Sequence, residues 1–184
     1  AIQRRWPDAK ITWIIGKIEQ QLLSGLNNIE FIVFDKSLGP KSYQLLRKQL
    51  QGRKFDILLH MQVAFRASLA SLCIRATEKW GFDKKRAKEG QWLFTNRKIA
   101  AQNEPHVADG FWGFAEAIGI EQDLSPSWKI PIAETDKKWC LELLGDNQPY
   151  IVVSPAASKV ERKWLAERYA VIADYANVKG YRVI

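Results

Sequence analysis

The segment SPAASKVERKW, residues 154–164, contains the residue types that bind phosphate groups. It follows the apolar run PYIVV and precedes the amphipathic run LAERYAVIADYANVKG. A strand, a short loop and a helix start form an anion site, because unpaired backbone N–H groups and the positive end of the helix dipole converge there. The hydroxyl and cationic side chains that would add donors to such a site are Ser154, Ser158, Lys159, Arg162 and Lys163.

The same segment also fits a purely structural interpretation. Ser158 is followed three positions later by Glu161, which is the spacing of a capping box at a helix N-terminus. A capping box satisfies the first backbone amides of a helix without any ligand. Short matches of this kind are common, so the spacing alone favours the structural interpretation, although a cap residue can also lie beside a ligand.

A second candidate site lies in the segment GFDKKRAKEGQWLFTNRK, residues 81–98, where cations alternate with aromatic side chains. Between Arg75 and Lys98 there are eight basic and three acidic residues, which supply +5 of the chain's net charge of +8. A concentrated positive field favours an anionic partner. Three interpretations stay open: stacking and phosphate contacts with single-stranded nucleic acid, guanidinium binding of carboxylates or phosphates on a smaller ligand, and a solvated charged surface. Nucleic acid is the least favoured partner, because no known nucleic-acid-binding motif accompanies the segment.

Other chemistries lack their sequence patterns. His60 and His106 are the only histidines, and neither stands in a recognised metal-ligand motif. The glycine-rich and nucleophile motifs of dinucleotide-binding proteins, P-loop nucleotidases and serine hydrolases are absent from the sequence. Cys73 and Cys140 stand alone, which argues against a disulfide framework and fits a reducing cytoplasm. If a diphosphate is bound, we expect cationic side chains and a helix dipole to neutralise it, with no metal and no cofactor.

The elements that must position these residues follow from the alternation of short apolar runs with longer amphipathic runs, which predicts an α/β fold built from βα units. The predicted strands cover residues 10–15, 29–34, 55–61, 149–154 and 181–184. The predicted helices cover residues 17–26, 40–52, 64–75, 106–120, 134–145 and 162–178. Residues 83–103 lack sustained periodicity, which predicts an extended surface loop with one short strand near LFTNRKI.

The composition is that of a globular protein, with 47% hydrophobic and 26% charged residues. The segment EQDLSPSWKIPI, residues 121–132, contains two prolines and is the predicted linker. We therefore predict one α/β domain over residues 1–125, and the linker with the start of a second domain over residues 126–184. Both ends of the chain are expected to be cut, because the few elements after the linker cannot bury their apolar faces by themselves.

Five segments, in order along nearly the whole chain, resemble glycosyltransferase family 9, the ADP-heptose:lipopolysaccharide heptosyltransferases. These segments are RRWPDAKITWII, KFDILLHMQVAFRASLAS, GFDKKRAKEGQWLFTNRKI, HVADGFWGFAEAIGI and PYIVVSPAASKVERKWLAERYAVIADYANVKGYRVI. The chain departs from the family where HMQV replaces D-x-Q-G, where PAA replaces P-G-A and where RKWL replaces K-R-W-P.

The resemblance implies a GT-B fold, with an acceptor-binding Rossmann-like N-terminal domain and a nucleotide-sugar-binding Rossmann-like C-terminal domain. It implies a glycosyltransferase that moves heptose from ADP-heptose to the Kdo or heptose of the lipopolysaccharide inner core, with inversion and without an obligatory metal. The expected partners are a nucleotide-sugar donor and an anionic core acceptor. The expected location is the cytoplasm, at the inner face of the bacterial inner membrane, with peripheral membrane contact.

The resemblance also implies site residues at the positions that match the family's motifs. The expected acceptor-binding residues are Gln62, Arg66, Arg86, Lys88, Arg97 and His106. The expected donor-binding residues, which match the family's diphosphate loop, are Ser154, Ala157, Ser158, Arg162 and Lys163. No catalytic residue is assigned, because the family's general-base Asp would precede Ala1, and the 184-residue chain alone is therefore expected to be inactive.

A hypothesis from another class is a non-catalytic α/β module that binds anionic lipid head groups or nucleic acid through its basic loop. Ligand binding separates the two hypotheses. A transferase should bind ADP in competition with an ADP-sugar, whereas a nucleic-acid module should bind DNA with a steep dependence on salt and should ignore ADP.

Overall fold

The computed structural model describes residues 1–102, 106–121, 130–145, 148–157 and 159–184. The chain divides into two units, Ala1–Pro131 and Ile132–Ile184. The predicted domain boundary between residues 125 and 126 lies outside the described residues. None of the helices in the described ranges combines the length and the apolar character needed to cross a bilayer.

The described residues form seven helices and seven strands, joined by short 3-10 turns. The helices are α1 (Ile2–Arg5), α2 (Lys17–Leu23), α3 (Pro40–Gln49), α4 (Phe65–Ser71), α5 (Val107–Ala117), α6 (Glu134–Leu144) and α7 (Ala166–Val178). The strands are β1 (Ile11–Ile15), β2 (Ile29–Val33), β3 (Phe55–Leu59), β4 (Ala76–Gly81), β5 (Arg97–Lys98), β6 (Tyr150–Ile151) and β7 (Arg182–Val183). The 3-10 turns are Lys36–Leu38, Gln91–Leu93 and Val160–Arg162.

Every strand pairing in the described residues is parallel, as the alternating pattern predicted. In the first unit β1 pairs with β2, in register from Ile11 with Ile29 to Ile15 with Val33, and β4 lies between β3 and β5. In the second unit β6 pairs with β7. Parallel strands need crossover connections, and α2 and α4 supply them between β1 and β2 and between β3 and β4. The mixed α/β class is therefore confirmed.

Two hydrophobic clusters form the core of the first unit. The larger cluster consists of Ile32, Leu46, Leu50, Ala70 and Ile74, packed between the strands and the helices α3 and α4. The smaller cluster consists of Phe82, Ile99 and Phe114. The rings of Phe82 and Phe114 meet edge to face with centroids 4.9 Å apart, and Phe114 is fully buried. The smaller cluster therefore fixes the segment after β4 against α5.

Two glycines inside α5 allow this close packing. A Cβ atom at Gly113 would lie 3.2 Å from Gln102 Nε2 and 3.3 Å from Ile99 Cδ1. A Cβ atom at Gly110 would lie 3.2 Å from Arg86 Nη1. Such distances are tighter than ordinary side-chain packing. The two glycines lower the helix propensity of α5, but they let the neighbouring loops approach the helix closely.

The strand β4 was missed by the sequence analysis, because Glu78 and Lys79 interrupt its apolar pattern. Their polar groups are satisfied by neighbours in the structure. Trp80 Nε1 donates a hydrogen bond of 2.9 Å to Glu78 Oε2. The Asn96 side chain pairs with the backbone of β4, accepting from the Lys79 amide at 2.7 Å and donating to the Thr77 carbonyl at 3.0 Å. A polar strand is therefore stable in the centre of this small sheet.

The predicted extended loop over 83–103 is only partly correct. The short strand near LFTNRKI is confirmed as β5. The loop itself is folded onto the domain, because Phe82, Asp83, Gln91 and Ile99 are all buried. Buried polar side chains in a loop carry no periodic signal, and the charge pattern alone indicated exposure.

The prediction of a helix over 162–178 is wrong at its start, since α7 begins at Ala166. Lys163 has extended dihedral angles (φ −85°, ψ 129°), so the chain leaves the preceding 3-10 turn before the helix starts. The rings of Trp164 and Tyr169 pack edge to face at 5.1 Å, and the Arg168 guanidinium lies 5.8 Å from the Trp164 ring centroid. This packing fixes the extended entry into the helix. Arg162 and Lys163 therefore precede the helix instead of lying in its first turn.

Candidate functional site

Most of the predicted acceptor-binding residues lie in the segments that follow the carboxyl ends of β3 and β4. Gln62 follows β3, and Arg66 lies in the first turn of α4. Arg86 and Lys88 follow β4. Because the carboxyl ends of parallel strands meet at one edge of a sheet, these two segments are neighbours, and in α/β proteins this edge is where ligands bind. We call the segments 60–66 and 82–91 together the acceptor edge.

The side chain of Gln91 joins the two segments of the acceptor edge. It is 0% exposed, although it lies in a surface loop. Gln91 Oε1 accepts from the backbone amide of Phe82 at 3.1 Å. Gln91 Nε2 donates to the carbonyl oxygens of His60 at 2.8 Å and of Gln62 at 3.2 Å. One amide group therefore satisfies three backbone groups from two different segments.

A second contact links the same segments near their surface. The Glu89 carboxylate accepts a hydrogen bond from the backbone amide of Phe65 at the start of α4. Glu89 and Gly90 both have positive φ angles, 50° and 73°, and this tight reversal turns the chain so that Gln91 points inward. The rings of Phe65 and Phe94 pack edge to face at 6.1 Å.

Each of the three guanidinium nitrogens of Arg86 donates a hydrogen bond to a protein group. Its Nε atom donates to Asp83 Oδ2, its Nη1 atom to Gln102 Oε1 at 2.8 Å, and its Nη2 atom to the carbonyl oxygen of Ala100 at 3.1 Å. Its guanidinium also lies 5.4 Å from the ring centroid of Phe82. Arg86 was predicted to bind the acceptor, and the structure shows it linking the segment after β4 to the segment after β5.

The carboxyl group of Asp83 is ionised and buried in this cluster. Burial by itself raises the pKa of Asp83, but the hydrogen bonds from the Arg86 guanidinium and the Lys85 amide outweigh it and hold the pKa below its ordinary value. Asp83 thus provides a fixed negative charge that orients Arg86.

The other acceptor candidates are exposed to solvent. Gln62, Arg66, Lys88, Arg97 and His106 are all exposed. Arg97 lies in β5, where its Nη2 atom is 3.6 Å from Glu78 Oε1. His106 caps α5, because its Nδ1 atom accepts from the backbone amide of Ala108 at 3.2 Å. Within the described ranges, Arg66 and Lys88 form no ion pair, so their charges face solvent.

His60 lies beneath the acceptor edge and is buried, with 5% exposure. Its Nε2 atom lies 3.1 Å from Ser68 Oγ, and Ser68 is fully buried. Burial, with a smaller contribution from Lys79, lowers the pKa of His60 to about 4. His60 is therefore neutral at neutral pH, and it supports the loop after β3 as a core residue.

The predicted donor-binding residues lie in the second unit, in the segment between β6 and α7. Ser154 is exposed and Ala157 is half-buried, in a stretch without helix or strand. Ser158 lies outside the described residues. The capping box predicted for the start of the helix is wrong there, because α7 begins at Ala166 with Leu165 as its N-cap. Arg162 ends the 3-10 turn and Lys163 follows it, and both side chains are exposed. We call residues 154–163 the donor segment.

Several residues of the acceptor edge were missed by the sequence analysis. Gln91 and Asp83, together with Gln102 from the segment after β5, form its hydrogen-bond network, yet each is a single polar residue in a charged loop. The two glycines of α5 were the only available signal, since glycine inside a helix suggests close approach of another segment. Within the described parts of the chain, no group of three or more His, Cys, Asp or Glu side chains could hold a metal ion.

Comparisons with known proteins identify relatives of this chain. The sequence profile of glycosyltransferase family 9 (heptosyltransferase) matches residues 44–184. The lipopolysaccharide core heptosyltransferase OpsX of Haemophilus influenzae is 45% identical over 183 residues, which cover 100% of this chain and 52% of that protein. Lipopolysaccharide heptosyltransferase 3 of Escherichia coli is 22% identical over 194 residues and 56% of its length. The chain thus spans about half the length of the curated relatives that it matches.

Solved structures show the same fold. A crystal structure of a family 9 glycosyltransferase from Veillonella parvula superimposes with a TM-score of 0.78 at 24% identity, over 99% of this chain and 54% of that one. The E. coli heptosyltransferase WaaC with ADP superimposes with a TM-score of 0.75 at 19% identity, over 99% of this chain and 59% of that one. The predicted GT-B fold class, which the family 9 glycosyltransferases have, is confirmed. Since the family profile matches most of its residues, this chain belongs to glycosyltransferase family 9, the heptosyltransferase family.

Proposed function

We propose that this protein transfers heptose from ADP-heptose to the inner core of lipopolysaccharide, onto Kdo or heptose. Family membership and the 45% identity to a core heptosyltransferase of H. influenzae support the reaction and the acceptor. The donor is supported by the family 9 structures from E. coli, which were solved with ADP and with ADP-2-deoxy-2-fluoro heptose. We propose the cytoplasmic face of the inner membrane as the place of the reaction.

The observation that carries this proposal is the exposed cationic edge of the parallel sheet. Arg66 and Lys88 present their charges to solvent beside Gln62, on two segments that are tied together by Gln91. An acceptor rich in carboxylates and phosphates matches these charges, and the fixed backbone lowers the entropy lost on binding. His106 and Arg97 are proposed to contact the same acceptor from α5 and β5.

The donor segment is proposed to hold the diphosphate of ADP-heptose. Arg162 and Lys163 are exposed cations, and Ser154 and Ala157 contribute a hydroxyl group and backbone amides. As the bond between heptose and diphosphate breaks, negative charge develops on ADP. Fixed cations and amides stabilise that charge in the transition state, which is the usual electrostatic route to a faster displacement.

The proposed reaction is a direct displacement with inversion at the anomeric carbon. The acceptor hydroxyl attacks from the face opposite to ADP, and a general base takes its proton. We propose no residue of this chain as that base. The reaction is proposed to need no metal, because side-chain cations neutralise the departing diphosphate.

A transfer assay tests the proposal. The protein is expressed at the full length of its gene and incubated with ADP-heptose and a Kdo-containing core acceptor, with and without EDTA. We expect one ADP released for each heptose transferred, a product with inverted anomeric configuration, and rates that agree within about twofold with and without the chelator.

Two outcomes would contradict the proposal in different ways. A protein that binds neither ADP nor the core acceptor, but binds DNA or anionic vesicles with a steep salt dependence, is the non-catalytic module of the alternative hypothesis. A protein that transfers heptose only when a divalent cation is present keeps the reaction and refutes its metal independence.

A further inference from the structure

Gln91 is unusual among the residues of its loop. It is 0% exposed, while its neighbours Trp92 and Leu93 are 55% and 68% exposed. A buried primary amide is costly unless its groups find partners. Here the side-chain amide makes three hydrogen bonds to backbone groups. An apolar side chain at this position would leave those backbone groups without partners.

The partners of Gln91 belong to the two segments that carry the acceptor candidates. Its Nε2 atom binds the carbonyl oxygens of His60 and Gln62, on the segment after β3. Its Oε1 atom binds the Phe82 amide, at the start of the segment after β4. Its own backbone amide donates to the Lys88 carbonyl at 3.0 Å. Gln91 therefore links Lys88 to Gln62 from inside the loop, while the Glu89 contact with the Phe65 amide links the same segments near the surface.

We propose that Gln91 is a positioning residue, which holds Gln62 and Lys88 at the separation that the acceptor requires. This inference rests on the proposed function, because it concerns the affinity for the same acceptor. Gln91 does not itself touch the acceptor, since its side chain is buried and its amide groups are occupied.

Glutamine suits this role better than its close analogues. Glutamate has the same shape and can accept from the Phe82 amide, but an ionised carboxylate cannot donate to the two carbonyl groups. Methionine fills a similar volume and makes none of the three hydrogen bonds. Either change leaves buried backbone groups without partners, so the loop must open to let water reach them.

The experiment compares Gln91→Met and Gln91→Glu with the wild type, in the protein at the full length of its gene. The control variant is Leu46→Ala, which removes a 2% exposed side chain from the larger core cluster of the same unit. Two measurements are made on each protein. Steady-state kinetics give separate KM values for the core acceptor and for ADP-heptose, and hydrogen exchange reports the opening of residues 60–66 and 82–91.

We expect Gln91→Met to raise the acceptor KM by about tenfold or more while the donor KM stays within about twofold, because a displacement of about 1 Å is enough to weaken a preorganised site. Exchange at both segments of the acceptor edge should quicken. Gln91→Glu should also raise the acceptor KM. It replaces Gln91→Met in the comparison if Gln91→Met cannot be obtained as folded protein. Leu46→Ala should lower stability and leave both KM values unchanged.

The inference is overturned if the wild type transfers heptose and the acceptor KM of the Gln91 variants differs from that of the wild type by less than about threefold. An equal rise of the acceptor KM in Leu46→Ala would overturn it as well, since the effect would then follow from stability alone. A wild type without transfer activity would refute the proposed function first, and this outcome is distinct because it is visible before any variant is made.

Discussion

The acceptor edge and the donor segment hold their polar side chains in different ways. At the acceptor edge, Gln91 and Arg86 use their donors inside the protein, and they leave Arg66 and Lys88 free to face solvent on a fixed backbone. In the donor segment, Arg162 and Lys163 are exposed, and the residues described between β6 and α7 include one 3-10 turn, Val160–Arg162. The difference shows that a cation in a charged loop can either link two segments of the protein, as Arg86 does, or present its charge to solvent, as Arg162 and Lys163 do.

The largest expected effect concerns the donor segment. The double variant Arg162→Ala with Lys163→Ala should weaken binding of ADP, which carries the same diphosphate as ADP-heptose, about a hundredfold, because two charge-assisted hydrogen bonds to phosphate together contribute about 3 kcal/mol. The free energy of unfolding should change by less than about 0.5 kcal/mol, since both side chains are exposed. Calorimetric titration with ADP and urea unfolding measure the two quantities.

Lys179→Ala is the matched control for this variant, because it removes an exposed cation of the same unit at the end of α7. It should leave the affinity for ADP unchanged. A double variant that binds ADP as tightly as the wild type would show that the donor segment does not hold the diphosphate.

The second prediction separates the two kinds of cation at the acceptor edge. Arg86→Lys should lower the free energy of unfolding by about 2 kcal/mol, because an ammonium group cannot reach Asp83, Gln102 and Ala100 together. Lys88→Ala should change it by less than about 0.5 kcal/mol and should weaken acceptor binding instead. Chemical unfolding followed by tryptophan fluorescence makes the comparison, and equal losses of stability in the two variants would contradict it.

Sequence analysis could predict the elements whose apolar pattern is continuous. The strands β1, β2 and β3 follow from the runs KITWII, IEFIVF and FDILLHM, because strands of a parallel sheet are apolar along their length. The strand β4 could not be predicted from its interrupted apolar pattern. Glu78 is stabilised there by Trp80 and Arg97, and Asn96 pairs with the backbone of the strand, and these contacts form only in the fold. The start of α7 depends on the packing of Trp164 against Tyr169, which no local propensity describes.

For the candidate site, the sequence indicated the two segments but not the hydrogen bonds within them. The resemblance to family 9 supplied the residues of both regions, and the charge count indicated an anionic ligand at the acceptor edge. Neither indicated that Arg86 is occupied by protein groups, because a guanidinium that binds a ligand and one that binds a loop have the same sequence pattern. Gln91 was missed because a single buried polar residue in a charged loop carries no periodic signal.

The third prediction concerns the pH dependence of stability beneath the acceptor edge. The pKa of His60 is lowered by burial from 6.5 to about 4, so between these two values the unfolded chain binds a proton that the folded chain does not. Stability should therefore rise as pH rises from about 4 to 6.5, and be fully recovered above that range. His60→Gln should flatten this part of the stability profile, as measured by thermal unfolding at a series of pH values. A slope equal to that of the wild type would show that His60 is not the titrating group.

The smallest expected effect lies at the amino ends of the strands. A hydrogen bond from Arg53, with smaller contributions from Thr12, lowers the pKa of Glu30 to about 2. The contribution of this pair to stability is present above pH 4.5 and is lost as pH falls toward 2. Because the Glu30 side chain is 50% exposed, we expect Arg53→Met to lower the free energy of unfolding by no more than about 1 kcal/mol at pH 7. The affinities for ADP-heptose and for the core acceptor should stay unchanged. A loss of acceptor binding in this variant would mean that the amino edge also takes part in recognition.

The most direct test of the division between the two regions is a crossed calorimetric titration of ADP and of a Kdo-containing core oligosaccharide. The titration is made on the wild type, on Arg66→Ala with Lys88→Ala, and on Arg162→Ala with Lys163→Ala. We expect the first double variant to lose affinity for the oligosaccharide and keep affinity for ADP, and the second to lose affinity for ADP and keep affinity for the oligosaccharide. Unchanged affinity for both ligands in either variant, or loss of ADP binding in the acceptor-edge variant, would contradict this expectation.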